Sequence, residues 1–122
     1  MSGVTTVLVL ADITPVDGPD SALPARLCAS INLIDPAPPL AIVAHGDLAL
    51  LLPAIALAQR SAHRRTAEYL LVDPVLPAAT DAWPDAPVTV ACDPTSDASS
   101  QGRLRGWTVI TLDEAPTWLP AD

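Results

Sequence analysis

The sequence predicts an α/β fold: a sheet of about five strands, mainly parallel, with helices in the connections. Two observations carry that prediction. Five short apolar runs, "VTTVLVL" (4–10), "LAIVA" (40–44), "YLLV" (69–72), "VTVA" (88–91) and "WTVITL" (107–112), are rich in Val, Ile, Leu or Thr, and none alternates cleanly with polar residues. Continuous apolar strands of this length are the mark of a parallel sheet covered on its faces. Segments with helical spacing or helix boundaries lie between most of these runs, and alternating strand and helix defines the α/β class.

The first run, at 4–10, opens the chain as a strand. The start "MSGVTTVLVLAD" lacks a basic n-region, so a strand is expected there rather than a secretory leader. Residues 21–32, "SALPARLCASIN", carry apolar side chains at helical spacing and give the first helix. After the strand at 40–44, residues 47–65 are expected to form the second helix. Asp47 stands as its N-cap, and Arg60, His63, Arg64 and Arg65 are cations suited to a helix C-terminus. Between Leu48 and Ala58 this helix has no polar face, so it is expected to be buried all round, with a kink at Pro53. The run "LALLLPAIALA" is too short to span a bilayer, which takes about 20 residues. Residues 73–87, "DPVLPAATDAWPDAP", are Pro-rich and are expected to form a loop. A third, weaker helix over 96–105 stops at Gly106 in the C′ position. The tail after Leu112 is expected to be irregular.

The bulk composition sets limits. At 122 residues, one domain spanning 1–122 is expected, long enough to bury roughly two-thirds of its unfolded surface. With no Phe and four other aromatic residues, the core must be built from Leu, Val, Ile and Ala; Trp83, Trp107 and Trp118 are expected to be packing residues. The net charge is -8, with six arginines and no lysine. Nothing resembles a basic stripe, which argues against nucleic acid and against anionic membrane surfaces. Cys28 and Cys92 match no metal or redox spacing, so reduced structural thiols in a cytoplasmic protein are expected. No metal or cofactor motif is evident.

Four stretches, "PPLAIVAHGDLALLLPAIALA", "EYLLVDPVLP", "WPDAPVTV" and "RLRGWTVITL", resemble in that order the second half of small bacterial α/β-hydrolase-fold proteins. The resemblance spans about residues 5–112 and implies a shortened version of that fold, a two- or three-layer sandwich. The family's nucleophile elbow is Gly-x-Ser-x-Gly. Matching puts Ala44, Gly46 and Leu48 at those positions, so the serine is gone and a bulky residue stands where a small one belongs. The next residue, whose N–H helps bind the oxyanion, is Asp47; a carboxylate near a developing oxyanion would cost about 4 kcal/mol at intermediate dielectric. The catalytic histidine that follows the last strand in the family is also missing from "DEAPTWLPAD".

The resemblance therefore implies a pseudoenzyme. It further implies that the retained helices share one sheet face and leave the other bare and apolar. The leading expectation is a non-catalytic interaction module: a homodimer or hetero-oligomer through that face, or an accessory subunit in a biosynthetic pathway. Two alternatives stand beside it. One is an atypical small enzyme with a relocated site of His45, Asp73 and Cys92, with Asp47 as a further catalytic candidate. An intervening strand would set the backbones of His45 and Cys92 about 10 Å apart, too far for an easy hydrogen bond. The other is a small-molecule binding module in which His45, Gly46, Asp47, Asp73 and Asp93 line the remnant cleft at the strand carboxyl ends.

Overall fold

A computed structural model describes residues 5–77 and 83–114. Among them are five strands, β1 (Thr6–Val9), β2 (Leu40–His45), β3 (Thr66–Val72), β4 (Val88–Ala91) and β5 (Thr108–Ile110). Three α-helices accompany them: α1 (Leu23–Ile34), α2 (Leu52–Ser61) and α3 (Asp97–Leu104). The strands form one sheet in the order β1-β2-β3-β4-β5, every neighbouring pair parallel. The α/β class expected from the apolar runs is the observed one. No helix among the described residues is long and apolar enough to cross a membrane.

Side chains alternate across the sheet, so each strand feeds two different environments. Leu8, Leu40, Ile42, Ala44, Tyr69, Leu71, Val88 and Val90 point into one core with Leu27 and Ile31 of α1, Leu52, Ile55 and Ala56 of α2, and Ala98 of α3. All three helices therefore pack on one face. The expectation of a bare opposite face needs correction. At its centre Val43, Leu70 and Ala91 are buried, with Val7, Val9, Val72 and Ile110 half-buried around them. The large hydrophobic side chains that are exposed, such as Leu33, Leu57 and Leu104, stand on the helices and loops instead. A face that lacks described helices is thus not an open apolar plane.

No helix among the described residues joins β3 to β4. Trp83, 1 % exposed, takes that place: it packs into the helix-side core and meets Tyr69 and Trp107 edge-to-face at 5.5 and 5.6 Å. The Tyr69 hydroxyl donates to Asp85 at 2.6 Å, and Asp85 also receives Arg60 at 2.9 Å. Burial and the adjacent carboxylate push the Tyr69 phenol well above its ordinary range. Trp118 lies outside the described residues.

The second helix differs most from its sequence reading. Residues Gly46–Leu51 wind as a 3₁₀ segment, and the α-helix starts only at Leu52. Pro53 sits in its first turn, where a missing N–H costs nothing, so it starts the helix rather than kinking its middle. Asp47 lies inside the 3₁₀ segment and caps nothing; the α2 N-cap position is Leu51, without a side-chain bond. Nor is the helix buried all round, since Leu57 is 58 % exposed and Leu50 47 %. Of the four C-terminal cations only Arg60 falls in the last turn, because the helix ends at Ser61. Gly106, with φ +76°, does close α3 as the C′ residue, and Ser96 caps its start by accepting from the Ser99 N–H.

Arg64 anchors the two longer helices. Its Nε donates to Gln59 Oε1 at 2.7 Å, its Nη1 to Asp35 Oδ1 at 3.0 Å, and its Nη2 to Asn32 Oδ1. Asp35, in the left-handed region at φ +49°, is the C-cap of α1. One buried guanidinium therefore ties the end of α1 to the end of α2.

Candidate functional site

The strand–turn–helix that resembles a nucleophile elbow exists. β2 is buried from Leu40 to Ala44 and ends at exposed His45; Gly46 turns the chain with φ +54°. A Cβ built on Gly46 meets nothing within 4 Å. The turn therefore needs glycine for its backbone conformation and not for room. A side chain there would cost about 1–2 kcal/mol through the left-handed φ alone. The place a nucleophile would occupy is open space above an unstrained glycine.

Register puts the other candidates on the same edge of the sheet. His45 pairs with Val72, Val72 with Ala91, and Ala91 with Ile110. Gly46, Asp73 and Cys92 thus follow one rung, at the strand carboxyl ends where open α/β sheets bind ligands. The Asp73 backbone takes φ +46° and its N–H donates to Ala91 O at 2.7 Å. That turn sends the loop back across the elbow, where the Val75 N–H donates to Gly46 O at 3.1 Å.

Shared position does not produce a shared chemical unit. By strand alternation His45 falls on the face of Val43, whereas Cys92 belongs to the helix-side core and is 1 % exposed. A thiol and an imidazole on opposite faces cannot exchange a proton. No hydrogen bond joins His45, Asp47 or Asp73 to one another among the described residues. Asp93 is occupied structurally: its Oδ1 accepts from the Thr95 N–H at 2.8 Å and the Thr95 hydroxyl at 2.7 Å. Those two donors hold its carboxyl below the usual carboxylate range. The Ser96 N–H and hydroxyl both donate to Asp93 O, so the loop serves to start α3. Cys28 and Cys92 are free thiols, and burial pushes the Cys28 thiol up, away from thiolate reactivity. Among the described residues no three His, Cys, Asp or Glu side chains are grouped to hold a metal ion.

A groove that the sequence does not announce lies beside this edge. About 440 Å³ in volume, it runs between the loop Pro74–Leu76 and α3, lined by Pro74, Val75, Leu76, Asp97, Ala98, Gln101 and Arg105. Asp97, Gln101 and Arg105 recur at four-residue steps and so share one helix face; that spacing was legible. The return of the loop through Val75 was not. The Arg105 guanidinium lies 4.9 Å over the Trp107 ring, and its Nη1 is buried without a hydrogen-bond partner. The groove therefore has an apolar wall, a carboxylate at one end and a cation at the other.

Comparison of the chain with known protein families, with curated proteins and with solved structures returns no match.

Proposed function

We propose that this chain is a non-catalytic interaction module, a shortened relative of the small α/β-hydrolase-fold proteins that has lost their chemistry. The observation that carries the reading is the elbow. It keeps the strand, the sharp turn and the following helix, yet presents Gly46 with open space above it, an exposed His45 with no side-chain partner among the described residues, and a thiol shut on the far side of the sheet. Acyl transfer needs a nucleophile within hydrogen-bond reach of a base and an oriented base, and neither relation exists here among the described residues.

The module works as a dimer or as an accessory subunit, with the second sheet face as its docking surface. Its centre of Val43, Leu70 and Ala91 is closed, so a partner would seat on the half-buried rim of Val7, Val9, Val72 and Ile110, where no described helix packs. A stable pairing would bury at least roughly 800 Å² per subunit. Size-exclusion chromatography with light scattering is expected to give twice the chain mass at micromolar concentration, falling to one mass in Val9→Asp. A clean monomer for the unaltered chain, with no co-purifying partner from its native cell, sinks the proposal.

A second reading, a small-molecule binding module, is favoured by the groove along α3. Its cation and apolar wall suit a small amphipathic carboxylate. Thermal denaturation against a panel of small carboxylic acids is expected to show a stabilising shift that Gln101→Trp, which fills the groove, abolishes. Equal shifts in both proteins would rule the groove out.

A further inference from the structure

At the other end of the sheet lies a feature that neither reading uses. An open cleft of about 420 Å³ is lined by Arg60, His63, Arg64, Arg65, Thr66 and Asp85. The chain has six arginines and two histidines against fourteen carboxylates. Half of those arginines and one of the histidines meet in this cleft. From this concentration we infer that the cleft is a binding site for a phosphoryl group, carried by a small phosphomonoester.

The local fold explains how the cations converge. α2 ends at Ser61, and His63 takes φ +60°, which reverses the chain between helix and strand. The Arg64 N–H donates to Gln59 O at 2.9 Å, and Arg65 O accepts from the Leu40 N–H at 2.8 Å, so both ends of the turn are pinned. The Arg64 side chain is drawn inward, its nitrogens spent on Gln59, Asp35 and Asn32. It is the rigid floor of the cleft and is not free to take a ligand. Arg60 and Arg65 stand on opposite arms of the turn, both exposed. Arg60 is held by Asp85, whose other oxygen already accepts from Tyr69. Arg65 and His63 are exposed and have no side-chain partner among the described residues.

The charges sort themselves accordingly. Asp85 offsets Arg60, and exposed Asp35 partly offsets Arg64. The Arg65 fork remains, with the His63 imidazole beside it in sequence and a second guanidinium across the cleft. A planar fork with further donors around it matches the several oxygens of a phosphoryl group better than it matches a lone carboxylate. The C-terminus of α2 points its negative end at the cleft and opposes an anion. Binding therefore rests on the side chains that line the cleft. That makes the site removable by substitution. The cleft exceeds the size of inorganic phosphate, which leaves room for the organic part of an ester.

The test is isothermal titration of the full chain with inorganic phosphate and, separately, with acetate, at constant ionic strength. Saturable phosphate binding at about 1 mM or tighter is expected, with acetate weaker. Arg65→Gln combined with His63→Asn, the latter chosen because Asn tolerates a positive φ, should weaken phosphate binding at least about tenfold. Arg65→Gln alone should account for most of that loss, and it alters an exposed side chain that holds nothing else in place. Arg103→Gln, on α3, should leave binding unchanged. The inference is overturned if phosphate does not saturate, if acetate binds equally well, or if the Arg65 variants bind as the unaltered chain does. None of these outcomes depends on whether the chain dimerises.

Discussion

Replacing Trp83 by alanine is expected to destabilise the fold by about 3–5 kcal/mol, the cost of emptying a large aromatic site in a closed core. The reason is topological. Each other parallel pair has a helix in its connection, but the β3–β4 connection has none among the described residues, and Trp83 fills the gap between Tyr69 and Trp107. Both edge-to-face ring contacts are made by Trp83 itself, so its removal leaves Tyr69 and Trp107 facing an empty site. A typical domain has only about 5–15 kcal/mol in total, so the variant should sit near the edge of stability. Trp83→Phe, which keeps a ring, should lose less than half as much. Urea unfolding followed by circular dichroism measures both; a loss below about 1 kcal/mol in Trp83→Ala would show that this residue is not part of the core.

The second large effect is expected at Arg64. Arg64→Met keeps the length and apolar stem but removes every donor. Gln59, 0 % exposed, would then have an unsatisfied carbonyl oxygen in addition to its Nε2, which already has no partner. A buried polar group left unpaired costs about 1–3 kcal/mol, and the tie to Asn32 and Asp35 is lost with it. A total near 2–3 kcal/mol is expected, a fall in Tm of about 8–12 °C. Arg65→Met, one residue on, should stay within about 0.5 kcal/mol because its side chain has no partner to lose. Combining Arg64→Met with Gln59→Leu should recover part of the loss, since both halves of the polar pair are then gone. If the double variant is less stable than Arg64→Met alone, the explanation through an orphaned amide fails.

Particular residues show how far the sequence can be read. The strands β2 and β4 contribute to both cores, so Leu40–Ala44 and the Val88–Ala91 stretch, broken only by Thr89, are mostly apolar and their positions were plain. The start of β3 was hidden because Thr66, Ala67 and Glu68 meet three different environments, buried, half-buried and exposed. A search for apolar runs finds only "YLLV". The second helix misled for a related reason. Leu50 and Leu57 are apolar yet point outward, so composition overstated burial, while Pro53 marked the true start of the α-helix. Gly46 was legible as the turn between an apolar strand and an apolar helix, and the structure gives it the positive φ that glycine takes readily. The cleft at Arg60–Arg65 was not, because those residues look like ordinary partners of a helix end until His63 reverses the chain. The closed centre of the second face, Val43 and Leu70, was already written in the continuous apolar runs, which mark strands covered on both sides; the bare face came from the resemblance instead.

The sequential strand order bears on how the chain finds its fold. Each strand hydrogen-bonds only to those next to it in the chain, so every pairing closes a single connection and none waits for a remote segment to arrive. Closure entropy grows slowly with loop length, and here it is met in four separate instalments. Parallel sheets are ordinarily slow to assemble because their contacts are non-local. In this arrangement the sheet can instead grow outward from the long β2–β3 pair, rung by rung, with the short edge strands β1 and β5 added last and shed first.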